Sequence, residues 1–220
     1  LAAGFCAAQL GLNDAPENTL IFHNVAPRRD DKGARQNNDG ERLAYALLPN
    51  GVKVVGVHAG FAFSFLRDVA TELHYVNVKS AGSQFRSRDL FPSAIAAIAK
   101  SHSGALAEPM PKDHIPDIPE NRVAYVDGFG NIKTTVLAGH YQAGQKLLVT
   151  LNNLTHIALV SDGSFSVPQG TLTFSPGSSG WQTPHSEMRW TELFLRFVIA
   201  AALFGYPKNA ESIPLRPLVQ

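Results

Sequence analysis

Three short segments of this 220-residue chain combine residue types and spacing that suit chemistry. The first is Phe85-Arg86-Ser87-Arg88-Asp89-Leu90-Phe91, two arginines and a carboxylate just ahead of a helical pattern. The second is Val126-Asp127-Gly128-Phe129-Gly130-Asn131, between two apolar runs. The third is Gly177-Ser178-Ser179-Gly180, a little after Thr171-Leu172-Thr173-Phe174. Asn131 brings an amide that both donates and accepts hydrogen bonds, Phe129 a flat face for stacking, and Asp127 an acceptor for a cationic group. The hydroxyl of Ser178, with Ser179 and nearby backbone N–H groups, suits an anion. Each segment also has a plain reading. Residues 127–131 can be an Asx-stabilised hairpin, Arg88 with Asp89 a salt bridge or helix cap, and the serines a flexible turn. Walker A, GxGxxG, HExxH and GxSxG signatures are absent, and the eight histidines are dispersed, so no metal is expected.

The elements that must position these segments are read from periodicity and punctuation. Residues 1–12 are Ala-rich and apolar nearly all round, which predicts a buried helix. Residues 20–26 form a short apolar run, a candidate buried strand, followed by Pro27 and a charged loop. Asp39 can cap a helix through Arg42, Leu43, Tyr45, Ala46 and Leu47, stopped by Pro49-Asn50-Gly51. Strands at 52–57 and 74–78 and helices at 63–70 and 91–102 complete a strand–helix alternation. That alternation predicts an α/β N-terminal domain with a mainly parallel sheet over residues 1–103. Four prolines between Gly104 and Asn121 mark residues 104–121 as a Pro-rich linker. Short apolar runs at 123–127, 132–136, 146–151, 156–160 and 171–174 then predict a smaller antiparallel β-rich C-terminal domain over residues 122–220. Residues 192–205 mix strand and helix character and stop at Gly205-Tyr206-Pro207.

Composition bounds the function. Hydrophobic residues are 45% and charged residues 17% of the chain, an ordinary globular balance. A formal net charge of +1 gives no electrostatic reason to expect nucleic acid or an anionic membrane as partner. The single cysteine, Cys6, excludes an intrachain disulfide and reads as a small buried apolar residue. The longest apolar runs, near Val198 to Phe204, are too short to span a bilayer, and no basic signal-peptide start is visible, so the expected location is cytoplasmic.

In order and spacing the three segments resemble the S-adenosylmethionine (SAM) hydroxide adenosyltransferases and their fluorinase and chlorinase relatives. There an Arg-Asp-x-Phe stretch opens the last helix of the N-terminal domain, an Asp-x-Phe-Gly-Asn turn begins the β-domain, and a Ser-Arg-Gly turn lies further on. The run from Glu192 through Arg196 into Ala200 to Gly205 is similar to that family's closing strand and helix, and the likeness covers roughly residue 20 to the C-terminus. It implies hydrolysis of SAM to adenosine and L-methionine by attack of water or hydroxide at ribose C5′. The implied ligand-binding residues are Asp127, Phe129, Asn131, Ser178, Ser179 and Arg88. Asn131 and Phe129 would meet adenine, while Asp127 and Ser178 would meet the methionine end. No cofactor is implied beyond SAM itself, and the relatives' assembly implies a homotrimer.

The sequence departs from the family at the water-holding residues. The Asp-Pro-Gly stretch appears as Ala26-Pro27-Arg28, the His two residues before Arg88 is Arg86, and the Asp-Asn-Gly turn is His58-Ala59-Gly60. The family's early Thr-Asp-Phe-Gly segment is not in the sequence, and this reading expects further residues upstream of Leu1. Arg86 with Arg35, Arg28 or Arg29 can form an electropositive pocket for hydroxide, which makes Arg86 and Arg35 the catalytic candidates. His23, Asp30 or Asp31 can supply a base. The alternative is a non-catalytic adenosyl- or nucleoside-binding protein that has lost its water-activating residues.

Overall fold

The computed structural model describes residues 1–13, 15–25, 40–79, 85–163, 167–183 and 187–218. The chain divides into two compact units, Ala3–Asp117 and Ile118–Gln220, the latter joined by Leu1–Ala2.

The first unit begins with helix α1 (Ala2–Leu12) and carries a five-stranded sheet. Its strands are β1 (Leu20–His23), β2 (Leu43–Leu47), β3 (Lys53–Val57), β4 (Glu72–Val76) and β5 (Leu106–Pro109), in the order β1-β3-β2-β4-β5. Only β1 and β3 run parallel; β2 pairs antiparallel with both β3 and β4, and β4 with β5. Two helices, α2 (Arg86–Asp89) and α3 (Phe91–Ala99), follow β4. Phe91, Ala94 and Ile98 of α3 pack on Leu43, Tyr45, Val55 and Val57.

The second unit carries β6 (Val123–Val126), β7 (Ile132–Leu137), β8 (Lys146–Leu151), β9 (Leu154–Val160), β10 (Leu172–Gln182), β11 (Glu187–Leu195), the short helix α4 (Ala200–Leu203) and β12 (Leu215–Pro217). Its seven-stranded sheet has the order β12-β8-β9-β10-β11-β7-β6, antiparallel except where β9 meets β10. One face of the sheet buries Ile132, Val136, Phe174, Leu193 and Leu195 together with Ala200, Ala201 and Phe204 from around α4.

An α/β domain with a mainly parallel sheet plus a smaller β-rich domain is therefore overturned. The chain is mostly β, both sheets are mixed and mostly antiparallel, and helices are few and short among the described residues. The error turns on residues 42–47. Leu43–Leu47 of this stretch form β2, a central strand whose residues Leu43 to Ala46 are all buried. A strand buried on both faces has no period-two alternation, so periodicity cannot separate it from a buried helix. Pro49-Asn50-Gly51 does not stop a helix but turns the β2–β3 hairpin. There Leu48 N donates to Val52 O at 2.9 Å and Gly51 takes φ +80°. Residues 63–70 form successive turns rather than a regular helix, and β5 with its pairing to β4 lies inside the stretch read as linker. Asp39, the expected cap, lies outside the described residues. Among the described residues no helix is long and apolar enough to cross a membrane, and no group of three or more His, Cys, Asp or Glu is placed to hold a metal.

His23 ends β1 with its ring laid on Gly56 of β3, where a Cβ would sit 2.0 Å from His23 Cε1. Phe63 flanks it at 5.3 Å between ring centroids. Burial pushes the imidazole down to about 4 and also lowers the half-buried His58. In the unfolded chain His23 protonates near pH 6.5, while in the fold it stays neutral to about 4. The unfolded state therefore binds more protons across that window, and stability falls as pH drops through it, by on the order of 3 kcal/mol for His23. Denaturant unfolding at pH 7 and pH 4.5 should show this loss, and His23→Leu should remove most of it. A wild-type stability that is flat between the two pH values would contradict the burial of a neutral imidazole.

Candidate functional site

The hairpin between β6 and β7 is closed by its own carboxylate. Asp127 Oδ1 accepts from the backbone N–H of Phe129 and of Asn131, both at 2.9 Å, and Oδ2 accepts from Asn131 Nδ2 at 3.1 Å. Such an Asx turn reproduces backbone turn geometry with a side chain and fixes Asn131 relative to Asp127. Gly130 takes φ +81°, and a Cβ there would meet Ile199 Cγ2 at 2.4 Å, so glycine permits both the turn and the close approach of residue 199. Ala201 N donates to Gly130 O at 2.9 Å, which ties the turn to the start of α4.

The result is an exposed aromatic rim. Phe129 is 84% exposed, and Phe197, 74% exposed and held at φ +65°, stands with Val198 and Ile199 in the adjoining segment. A positive φ is strained for an aromatic residue. The strain is held in place by Arg196, whose Nη1 donates to Val167 O while its guanidinium lies 5.3 Å from the Phe197 ring centroid. Large rings turned to solvent, beside an amide whose second N–H and carbonyl oxygen have no partner among the described residues, suit a flat heterocycle.

Ser178 and Ser179 do not lie in a turn between elements. They sit inside β10, where the pairing with β11 shifts register between Pro176 and Gly180, a bulge that re-aims side chains. Ser178 is exposed and Ser179 buried. The bulge meets the hairpin through Lys133, which sequence reasoning missed. Lys133 Nζ donates to Ser178 Oγ at 3.2 Å, lies 3.4 Å from Asp127 Oδ2 and hydrogen-bonds Glu192 Oε2. Lys133 and Glu192 are register partners on β7 and β11, and their side chains are only 5% and 11% exposed. Gly177 makes room for the carboxylate, because a Cβ there would lie 2.7 Å from Glu192 Oε2. One ammonium thus faces two carboxylates in a nearly dry setting, a formal charge of −1.

The arginine candidates lie in the other unit. Arg86 opens α2, donates from Nη1 to Glu41 O at 3.0 Å and stacks 5.2 Å from the Phe91 ring centroid. Arg88 is exposed and forks onto its neighbour Asp89, with Nε to Oδ1 at 2.6 Å and Nη2 to Oδ2 at 2.9 Å, above the Phe85 ring. Arg35, like Ala26 to Asp31, lies outside the described residues. His58 follows β3, where Ala62 N–H donates to the carbonyl of Ala59. Near it Tyr75 Oη shares a hydrogen bond with His114 Nδ1 at 2.9 Å, and Arg42 lies 3.6 Å over the Tyr75 ring. The structure therefore brings Asp127, Asn131 and Ser178 together around Lys133, with Phe129 on the same turn. The one signal for Lys133 and Glu192 in the sequence is a charged residue inside a strand that otherwise reads as buried.

Removing one member of a buried ion pair leaves a charge stranded, at a cost of about 3–5 kcal/mol, whereas replacing both by apolar groups costs much less. Lys133→Met should lower the unfolding free energy by about that amount, and the double variant Lys133→Met with Glu192→Leu should recover a large part of it. Urea unfolding of the three proteins decides this, and a double variant no more stable than Lys133→Met would refute the pairing.

No family model matches the chain, and no curated protein matches it in sequence. Solved structures do. The fold is similar to that of an uncharacterized conserved protein from Thermotoga maritima, with a TM-score of 0.68 and 16% identity over 98% of this chain and 83% of that one. It is also similar to a conserved hypothetical protein from Thermus thermophilus, with a TM-score of 0.63 and 19% identity over 97% and 80% of the two chains. At these identities the likeness establishes the fold alone.

Proposed function

We propose that this chain binds SAM, with its adenine on the rim at Phe129 and Asn131 and its methionine end toward Ser178 and Ser179. The observation that carries the reading is the pairing of an exposed ring with a fixed amide on one five-residue turn. Phe129 is 84% exposed while Asn131 is held by Asp127. Adenine presents a flat face and an edge that both donates and accepts, and those two groups match it. The cluster behind the turn strengthens the choice of ligand. A formal charge of −1 beside the site favours a ligand with cationic groups, and SAM carries a sulfonium and an ammonium.

The reaction is attack of water at ribose C5′, giving adenosine, L-methionine and a proton. The sulfonium is already an excellent leaving group, so the protein's task is to place and desolvate the water. Arg86 and Arg35 remain the candidates for holding the nucleophile, with Arg88 as a further ligand contact. The second reading, an adenosyl-binding protein without turnover, is favoured by the engagement of the arginines: Arg86 is committed to the Glu41 carbonyl and Arg88 to Asp89. We place either function in the cytoplasm, in a homotrimer, with no cofactor beyond SAM.

Incubation of the protein with SAM, followed by liquid chromatography, should yield adenosine and methionine in equal amounts. Binding without products selects the second reading, and an absence of both products and binding overturns the proposal. Phe129→Ala should weaken SAM binding about tenfold, the scale of one base–aromatic stack, as read by calorimetry. Light scattering should return three times the mass of one chain, and a monodisperse monomer would remove the trimer.

A further inference from the structure

Across β7, β11 and β10 the register aligns Lys133, Glu192 and Ser175 in one row. Directly opposed residues of antiparallel strands project to the same face with their Cβ atoms about 5 Å apart, so the three side chains are neighbours. Lys133 is fully used by Glu192, Asp127 and Ser178. The others are not. Glu192 is 8% exposed, and its Oε1 has no hydrogen-bond partner among the described residues. Ser175 is 1% exposed, and its Oγ likewise has none. Buried polar atoms are paired almost without exception, so the unpartnered Ser175 Oγ, in register with the half-used Glu192 carboxylate, marks a place where a polar hydrogen-bonding group belongs.

Asp127 is a poor acceptor for an incoming donor, because its oxygens already take two backbone N–H groups, the Asn131 amide and Lys133. A sulfonium has no N–H and can donate a hydrogen bond neither to Ser175 Oγ nor to the Glu192 carboxylate. A primary ammonium has three N–H donors and a positive charge that completes the balance of one cation against two carboxylates. We propose that Glu192 and Ser175 form the subsite for the α-ammonium of the bound amino-acid end, with Lys133 as the residue that positions Glu192. This assignment rests on the reading that the turn at residues 127–131 binds SAM. It moves the ammonium contact from Asp127 on the hairpin to a residue of β11, and it makes ligand selection depend on charge rather than on adenine alone.

The test removes the ammonium from the ligand before it touches the protein. Calorimetry compares S-adenosylhomocysteine with its desamino analogue, in which hydrogen replaces the α-ammonium, on the unaltered full chain. The homocysteine compound should bind at least tenfold more tightly. Glu192→Gln should then weaken that compound at least tenfold and change the desamino analogue less than twofold. Equal affinity of the two compounds for the unaltered protein overturns the subsite and leaves adenosyl binding standing. An equal loss of both in Glu192→Gln also overturns it, since that is the mark of a structural role. If SAM, S-adenosylhomocysteine and adenosine all fail to bind, the reading of the turn falls and the subsite falls with it. The ligand-side comparison needs no variant, so it decides the question even where Glu192→Gln does not fold.

Discussion

The second unit is organised around a lysine that must not be left alone. Lys133 is almost completely removed from water, and an isolated ammonium in that setting costs several kcal/mol. Its partners come from three places in the chain: Asp127 on the preceding turn, Ser178 on the β10 bulge and Glu192 on β11. Each partner constrains a different feature. Glu192 fixes the β7–β11 register, because a slip by one residue would carry Lys133 to the apolar face with Ile132 and Val136. Ser178 requires the bulge, since without the register shift between Pro176 and Gly180 residue 178 would be aimed elsewhere. Asp127 couples the cluster to the turn that presents Phe129 and Asn131.

This arrangement gives the sheet two unlike faces. Along β7, residues 132, 134 and 136 face the core with Leu193 and Leu195 of β11, and even there Thr134 and Thr191 hydrogen-bond each other at 2.8 Å. The alternate residues, Lys133 with Glu192 and Ser175, form the other side. Packing of apolar side chains thus fixes where the strands lie, and the ionic row uses that fixed frame to hold charge beside the turn. A loop would not do this as well, because positions on paired strands are set by backbone hydrogen bonds before any side chain is chosen.

What the sequence discloses follows the range of the interactions. The turn at residues 127–131 is legible because the hydrogen bonds of its Asx motif close within five residues, and β1, β3 and α3 are legible from local apolar runs and a proline in the first helical turn. β2 is not. Leu43 to Ala46 are buried on both faces, so the period that separates strand from helix is erased, and the Asn-Gly that closes a hairpin reads equally as a helix stop. The serines at 178 and 179 stand out by type, but their setting does not, because a bulge is defined by the partner strand. Lys133 and Glu192 lie 59 residues apart, and no local pattern pairs them. The polarity of a lone lysine in an apolar strand is visible, but its counter-charge belongs to another strand.

The exposed rim at Phe129 and Phe197 follows from the same division of labour. An aromatic ring at φ +65° stores strain that the fold does not need for its core, which is already filled by Phe174, Leu193 and Phe204. Both rings are exposed, and each is backed by a separate device. Gly130 and the Asx turn set the direction of Phe129, while Arg196, anchored to Val167, backs Phe197. Maintaining two large apolar surfaces in water costs free energy that burial would recover. On the proposed reading a flat ligand would recover it on binding, and the carboxylate of Glu192 would supply the charge that such a surface lacks. Under the proposal affinity therefore belongs to the rim and selectivity to the buried row, two properties carried by different residues of one hairpin and its neighbouring strands.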